Sequence, residues 1–343
     1  MKILGIDTSC DDTSAAVVED GKRALSNVVH TQIPLHRPYG GVVPELASRE
    51  HIRNIWHVVE EALRQAEIKI KQLDGIAVTI GPGLVGSLLV GLYFVKGICI
   101  ASRIPFVGVN HLEGHILSIF LEEKTPSFPF VALTVSGGHT SLFLVEDFGR
   151  YRVLGQTLDD AAGEAFDKVA KILGLGYPGG RVIEELSGRG DRDKIPFPRA
   201  FLSPDSLDFS FSGLKTSVSL FVKRWKEGAH RDVTINDIAA SFQEAVVDVL
   251  SKKLISAASR YRVKDIVIAG GVACNGRLRE RVEELSKREN MRLFYPHPQY
   301  CTDNGAMIAV AGFHRLRASD GCDLSLDVLS RFPIEALDEF YRS

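Results

Sequence analysis

Apolar and polar positions alternate along the chain in two rounds of one pattern. In the first round the apolar run "ILGI" meets the polar stretch "SCDDT" and then "SAAVVED", which predicts strand, turn and strand. Apolar residues at helical spacing follow in "HIRNIWHVVEEALRQA". The strand "GIAVTI" then ends in "GPG", the helix "GSLLVGLYFVKGICIA" comes next, and the strand "PFVGV" runs towards His111. The second round opens with "VALT", "SGGHT" and "SLFLVED". It continues through the helix "TINDIAASFQEAVVDVLSKKLISAASRY", the strand "DIVIAGG", the helix "NGRLRERVEELSKR", the strand "RLFYP" and the segment "TDNGAMIAVAGFHRL". Each round therefore reads hairpin, helix, strand, glycine turn, helix, strand, helix.

The two hairpins match residue by residue. Ser9, Thr13, Ser14, Val18, Glu19 and Asp20 fall on Ser136, Thr140, Ser141, Val145, Glu146 and Asp147. A duplicated α/β plan of this order resembles the actin, sugar-kinase and heat-shock ATPase superfamily, abbreviated ASKHA. That resemblance implies two lobes around a nucleotide cleft. The expected division is an N-terminal lobe over residues 1–127 and a C-terminal lobe over 128–343. The second lobe carries an insertion at about 154–225 and a C-terminal helical tail.

Composition narrows the function classes. The 343 residues carry 41 basic and 43 acidic side chains, net −2, so no global basic field draws nucleic acid and any such contact is local or shared with a partner. The five cysteines are scattered and odd in number, which argues against a disulfide framework or zinc knuckle and for a reducing cytoplasm. The start is a strand and acidic turn rather than a signal peptide. The most apolar run, from Gly83 to Ala101, has the length of a membrane span but is broken by Lys96 and rich in glycine, so a buried helix and no membrane are expected.

Candidate chemistry starts at "NHLEGH". On a helix His111 and His115 share a face, so both imidazoles can serve one ion; the plain alternative is two hydrogen-bonded histidines at a helix start. The repeat supplies a third ligand. The equivalent helix of the second round opens with "CTDNGAM", and a pseudo-twofold would bring Asp303 across the cleft towards the histidines. Asp303 as the N-cap of its own helix is the alternative. Two histidines and a carboxylate with open positions suit iron(II) or catalytic zinc. Glu113 does not make this an HExxH protease: it lies two residues past His111, roughly 200° around the helix, and points away from the ion.

The glycine turns are candidate phosphate and nucleotide contacts. Ser136, Gly137 and Gly138 form a hairpin tip where backbone can approach a phosphate, or a plain tight turn. Asn275, after the glycines of "AGGVACN", offers an amide to adenine or ribose, or caps a helix. Gly180 in "YPGG" admits a ribose closely. Asp167, beside the apolar stripe of "GEAFDKVAKIL", is a candidate ribose-hydroxyl acceptor or a solvated helix carboxylate. Asp11 and Asp12, at the first hairpin tip, are candidates for polarising a reacting group, or ordinary turn aspartates.

Nine motifs in order, "GIDTSCDDTS", "GGVVPELASREH", "GPGLVGSLLVG", "NHLEGH", "VSGGHT", "DDAAGEAFDKVAKILGLGYPGG", "DFSFSGLKT", "AGGVACN" and "CTDNGAMIA", resemble the TsaD family across nearly the whole chain. This family comprises the tRNA threonylcarbamoyltransferases once labelled glycoproteases, and the spacing looks like the bacterial branch. The resemblance implies transfer of threonylcarbamoyl from threonylcarbamoyl-adenylate to the exocyclic amine of the adenosine 3′ of the anticodon, in tRNAs reading codons that begin with A. It implies a metal, Fe(2+) or Zn(2+), on His111, His115 and Asp303. It also implies adenylate binding by Thr134, Val135, Ser136, Gly137 and Gly138 with Asp167, Gly180, Glu184 and Asn275. Glu184 stands where many relatives carry aspartate, and Asp12 where the family often has glutamate. The implied partners are tRNA, a TsaC-type synthase that supplies the adenylate, a TsaB-like paralogue and a TsaE-like ATPase. An ASKHA kinase or ATPase would share the phosphate loops (ATP, ADP or AMP as ligand) without needing the histidines. A metallopeptidase would use the metal but lacks a placed base.

Overall fold

A computed structural model describes residues 1–203, 205–319 and 321–337. In chain order the first stretch runs β1 (Lys2–Asp7), β2 (Asp12–Glu19), β3 (Arg23–Ala24), β4 (Val28–Thr31), α1 (Ile33–His36), a 3-10 turn at Arg37–Tyr39, and α2 (Pro44–Gln65). It continues with β5 (Gly75–Gly81), α3 (Val85–Ser102), β6 (Phe106–Asn110) and α4 (His111–Leu117). Then come β7 (Phe130–Val135), β8 (Thr140–Asp147), β9 (Arg150–Gln156), α5 (Ala162–Leu173), α6 (Gly179–Ser187), α7 (Ser212–Lys226) and α8 (Ile235–Arg260). The chain proceeds through β10 (Asp265–Ala269), α9 (Gly276–Arg288), β11 (Arg292–Phe294), α10 (Pro298–Cys301) and α11 (Gly305–Ala318).

Two sheets repeat one topology. In the first, β2-β1-β5-β6 lie side by side, with β1 antiparallel to β2 and parallel to β5, and β5 parallel to β6. In the second, β8-β7-β10-β11 reproduce those relations. The strands are buried on both faces, so they read as unbroken apolar runs rather than alternating ones. The fold is the duplicated ASKHA-type α/β architecture expected from the repeat. The first long helix begins at Pro44 rather than near His51, because proline at its first position starts the helix seven residues upstream.

The chain forms two compact units, one built from residues 1–125, 148–150 and 296 onward, the other from 126–147 and 151–295. A single cut at 127/128 would leave α11 with the second lobe. Instead α11 packs on β1, β2, β5 and α4 of the first unit. Glycines allow that approach: a Cβ on Gly5 would collide with the backbone of Gly305 and Ala309, and one on Gly305 would meet the backbone of Ala15 and Ala16. After α11 the chain straps across the same unit. There Leu329 N donates to Ile80 O (2.7 Å) and Asn110 Nδ2 donates to Phe332 O (2.8 Å). In the expected C-terminal helical tail a 3-10 turn at Ile334–Ala336 is followed by Leu337 in helical conformation, and residues 338–343 lie outside the described residues.

The apolar run flagged in the sequence is α3, one helix long and apolar enough to cross a membrane. Its Leu88, Gly91, Leu92, Val95 and Cys99 are buried, and Lys96 Nζ donates to Leu326 O at 2.6 Å. All five cysteines are free thiols.

Candidate functional site

The first unit gathers a two-histidine, one-carboxylate cluster. β6 ends at Asn110, whose side chain caps α4 by accepting from the N–H groups of Leu112 and Glu113. That cap starts the helix on His111, so His111 and His115 sit one turn apart with rings 4.7 Å between centroids. Asp303 stands just before α11. The cap of α11 is Asn304, which accepts from Met307 N at 3.0 Å, so Asp303 is free of the capping role weighed for it. Its Oδ1 lies 3.1 Å from His115 Nε2 and 3.5 Å from His111 Nε2. One ligand atom from each of the three residues falls within 4.8 Å of the others. The helices meet by direct packing of α4 on α11 inside one unit, which corrects the picture of an aspartate reaching over from the other lobe.

The surroundings fit a metal ion. His111 Nδ1 faces Ser9 Oγ (3.2 Å) and Asp7 Oδ2 (3.4 Å), and the Ser9 hydroxyl itself donates to Asp7. The proton on Nδ1 is held there, so Nε2 is the atom that ligates once its own proton is displaced, the carboxylate–histidine arrangement that orients ligating imidazoles. His115 Nε2 is wholly buried, yet despite its short distance to Asp303 it makes no aligned hydrogen bond. Donor atoms that converge on a common point rather than on each other are what a shared cation requires. Burial pulls the His111 pKa down, but Asp303 and Asp7 outweigh it and push it up to about 10. Burial works to raise Asp303, and the two imidazoles hold its carboxyl well below the usual range instead.

Asp11 and Asp12 stand at the first hairpin tip in the same unit. Burial raises the pKa of Asp11. Burial, reinforced by the charges of Asp303 and Asp11, raises Asp12 to about 8, and Asp12 Oδ1 is buried without a hydrogen-bond partner among the described residues. The tip is braced from behind by buried polar groups. His51 Nε2 donates to Cys10 O (3.0 Å), so its Nδ1 accepts from the Thr13 hydroxyl (2.7 Å), and Gln32 N donates to Asp11 O (3.0 Å). Glu113, the residue that tempts a peptidase reading, is 2 % exposed and held by Arg315 Nη2 at 2.8 Å, away from the cluster. It is not placed as a base.

The remaining candidates lie in the second unit. Thr134 and Val135 are fully buried in β7, and exposure begins at Ser136. Gly137, Gly138 and Gly180 have nothing within 4 Å of where a Cβ would stand, so their backbones face open space. Asp167 Oδ1 accepts from Gly179 N (2.7 Å) and so secures the start of α6. Glu184 Oε1 accepts from Gly276 N (2.7 Å), and Asn275 caps α9 through Leu278 N while its Nδ2 donates to Gln243 Oε1 (2.7 Å). Asn275 thus keeps the capping role and is oriented by a neighbour. A cavity of about 380 Å³ opens beside Glu184, Gln243 and Arg277. The structure brings Asp167, Gly180, Glu184 and Asn275 together through α6 and α9.

Sequence reasoning passed over Asp7, Gln243 and Arg315. Asp7 had a signal, a carboxylate ending an apolar strand in "ILGID". Gln243 and Arg315 had none, since each is one polar residue on a long helix whose partner is remote in sequence.

These features define an α/β protein of the ASKHA architecture with a candidate His₂Asp metal centre in one unit and glycine-lined loops in the other. Solved structures share the fold: a 2-hydroxyglutaryl-CoA dehydratase component A from Acidaminococcus fermentans (TM-score 0.56, 18 % identity, 92 % of this chain and 99 % of that one) and a full-length HypF (TM-score 0.61, 14 %, 93 % and 47 %). The model of the TsaD family, tRNA N6-adenosine threonylcarbamoyltransferase, matches residues 23–310. Proteins of that name from Syntrophus aciditrophicus and Thermodesulfovibrio yellowstonii are 52 % and 54 % identical over 99 % and 97 % of this chain and all of theirs. The chain belongs to the TsaD family.

Proposed function

We propose that this chain transfers the threonylcarbamoyl group of threonylcarbamoyl-adenylate to the N6 amine of the adenosine 3′-adjacent to the anticodon in tRNAs reading codons that begin with A. The observation that carries the reading is full-length kinship with threonylcarbamoyltransferases in a chain that keeps the His111, His115 and Asp303 cluster.

The adenosine amine is a weak nucleophile because its lone pair is delocalised into the purine, so the acyl group must arrive activated. The N6 nitrogen attacks the carbamoyl carbon, a C–N bond forms, the bond from that carbon to the phosphate oxygen breaks, and AMP leaves. One proton departs from the amine, and Asp12 is the proposed acceptor. Its unpartnered buried oxygen and raised pKa make it a better base than an ordinary aspartate. Asp11, beside it, is the second candidate. A divalent ion on His111, His115 and Asp303, Fe(2+) in our assignment and Zn(2+) as the competitor, would supply Lewis-acid stabilisation of developing oxyanion charge. Asp7 and Ser9 hold His111 in the ligating tautomer.

The adenylate is assigned to the second unit. The open backbone at Ser136, Gly137 and Gly138, continuing Thr134 and Val135, takes the phosphate. Asp167, Gly180, Glu184 and Asn275 surround the nucleoside; of these Glu184 alone lines the cavity of about 380 Å³, so the assignment rests on the open backbone of Gly180 and the hydrogen bonds that join Asp167 to Gly179 and Glu184 to Gly276. The same contacts would accept ATP, ADP or AMP. Free thiols throughout agree with a cytoplasmic reaction. Exposed Ile52, Trp56, Tyr93 and Ile100 on the packed α2 and α3 support a protein partner, assigned as a TsaB-like paralogue with a TsaE-like ATPase, and a TsaC-type synthase as source of the adenylate.

The test is a transfer assay with synthetic threonylcarbamoyl-adenylate and unmodified tRNA transcript, with and without chelator, read by nucleoside mass spectrometry. A threonylcarbamoyl mass gain on adenosine, abolished by chelator and restored by metal, is expected. No gain with the partner proteins present would overturn the reading.

A further inference from the structure

The loop after β4 carries a side-chain pair that nothing in the transfer reaction has yet used. Tyr39 is 60 % exposed, and among the described residues its ring has no aromatic, cationic or hydrogen-bonding neighbour. Arg37, two residues earlier, is exposed and has no ion pair or side-chain hydrogen bond among the described residues. An exposed aromatic ring two residues from an unpaired guanidinium offers a stacking face and a cation on one short turn.

The backbone of the turn is hydrogen-bonded in place. Arg37–Tyr39 forms a 3-10 turn with Pro38 at its centre, and Gly40, in the left-handed region (φ +69°), closes it by donating its N–H to Arg37 O at 3.1 Å. Directly beneath, His36 is fully buried. Its Nε2 donates to Gln32 Oε1 (3.1 Å), and its Nδ1 accepts from Val43 N (3.3 Å). Gln32 N in turn donates to Asp11 O, and Thr31 pairs with Asp12 across β4 and β2. The turn is therefore mounted on the same tip that presents Asp11 and Asp12. The exposed aromatics Trp56 and Tyr93 lie elsewhere, on α2 and α3, although α2 also reaches the tip through His51.

From this arrangement we infer that Tyr39 and Arg37 are a docking platform for the anticodon loop of the tRNA substrate, Tyr39 stacking on an unpaired base and Arg37 facing a backbone phosphate. The inference rests on the transferase reading above. Presenting one adenosine to the carboxylates requires its base to leave the loop's stack. A neighbouring base then needs a new surface, which an aromatic ring supplies irrespective of sequence. A single exposed cation adds phosphate contact in a protein of net charge −2, where no broad basic field does that work.

The experiment measures binding of an unmodified anticodon stem-loop to the full-length protein at several salt concentrations, for wild type, Tyr39→Ala, Tyr39→Trp and Arg37→Ala. Each variant is also assayed for AMP binding, for thermal unfolding and for transfer with its KM for tRNA. Tyr39→Ala is expected to weaken stem-loop binding about tenfold and to raise KM for tRNA with AMP affinity unchanged, and Tyr39→Trp to restore both. Arg37→Ala is expected to reduce the salt slope by about one. Stem-loop affinity unchanged in Tyr39→Ala, while the wild type transfers normally, would overturn the platform and leave the transferase reading intact. So would a Tyr39→Ala defect confined to binding of a protein partner. A wild type that neither binds nor modifies the stem-loop would remove both.

Discussion

His115 Nε2 lies 3.1 Å from Asp303 Oδ1, buried, and the two are not aligned as a hydrogen bond. This pair joins a residue of α4 to the start of α11. It exists because α11, though late in the chain, packs on the first unit's sheet. Its first consequence concerns metal binding. Asp303→Ala and His111→Ala should each lower bound metal to well under half an equivalent, read by elemental analysis after dialysis. Because the pKa of His111 is pushed up to about 10 without an ion, binding must displace its proton. Affinity should therefore rise with pH across pH 6–9, and metal binding should release protons measurable by titration in weak buffer. Affinity independent of pH over that window would contradict the assignment.

Asp12 predicts a trade between stability and activity. Its folded-state pKa of about 8 lies above the ordinary value of 3.8, so the folded state prefers the protonated form. This contribution is fully present below about pH 4 and is lost as pH rises through about 8. Asp12→Asn should remove that slope, raise stability near pH 8 by about 1 kcal/mol or more, and cut transfer by at least about tenfold. Denaturant melts at pH 5 and pH 8, beside the transfer assay, check both halves.

Glu113 and Arg315 form a buried pair, 2 % and 12 % exposed, that clamps α4 to α11. Arg315→Met leaves a buried carboxylate facing an apolar side chain and should destabilise the protein by about 3–5 kcal/mol. The double variant Glu113→Gln/Arg315→Met should recover part of that loss. Equal stability of the single and double variants would mean that the pair is not what α11 depends on.

Gly5 faces the backbone of Gly305 and Ala309 with no space for a methyl group. Gly5→Ala should cost about 1–3 kcal/mol through overpacking and should also weaken metal binding, because lifting α11 moves Asp303. Unfolding melts and metal titration on the same preparation separate the two effects. A loss of stability with metal affinity intact would show that Asp303 is positioned independently of the helix contact.

Much of the fold was legible because buried parallel strands and their hairpins leave strong apolar runs, and because the plan occurs twice. The hairpins, α3, α8 and α9 lie close to the segments marked for them in the sequence. The start of α2 did not, since "PELASRE" shows no apolar stripe and only Pro44 marks its beginning. Within the site, His111 and His115 were readable from helical spacing alone. Asp303 was readable as a residue type at a helix start, but two jobs competed for it, and Asn304 next to it took the capping one. Asp7 behind His111, and Gln243 behind Asn275, act across 104 and 32 residues of sequence, and no local pattern encodes such pairs.

By itself the sequence determined the duplicated strand–helix order, the burial of its sheets and the identity of the donor atoms, because these follow from side-chain periodicity and chemistry within short windows. Only the tertiary structure decided that α11 returns to the first unit, that Glu113 is spent on Arg315, and that His111 is held in one tautomer by Asp7 and Ser9. Those outcomes depend on which surfaces pack without a Cβ between them and on where buried polar groups find partners. Both are properties of the closed core and not of any one segment.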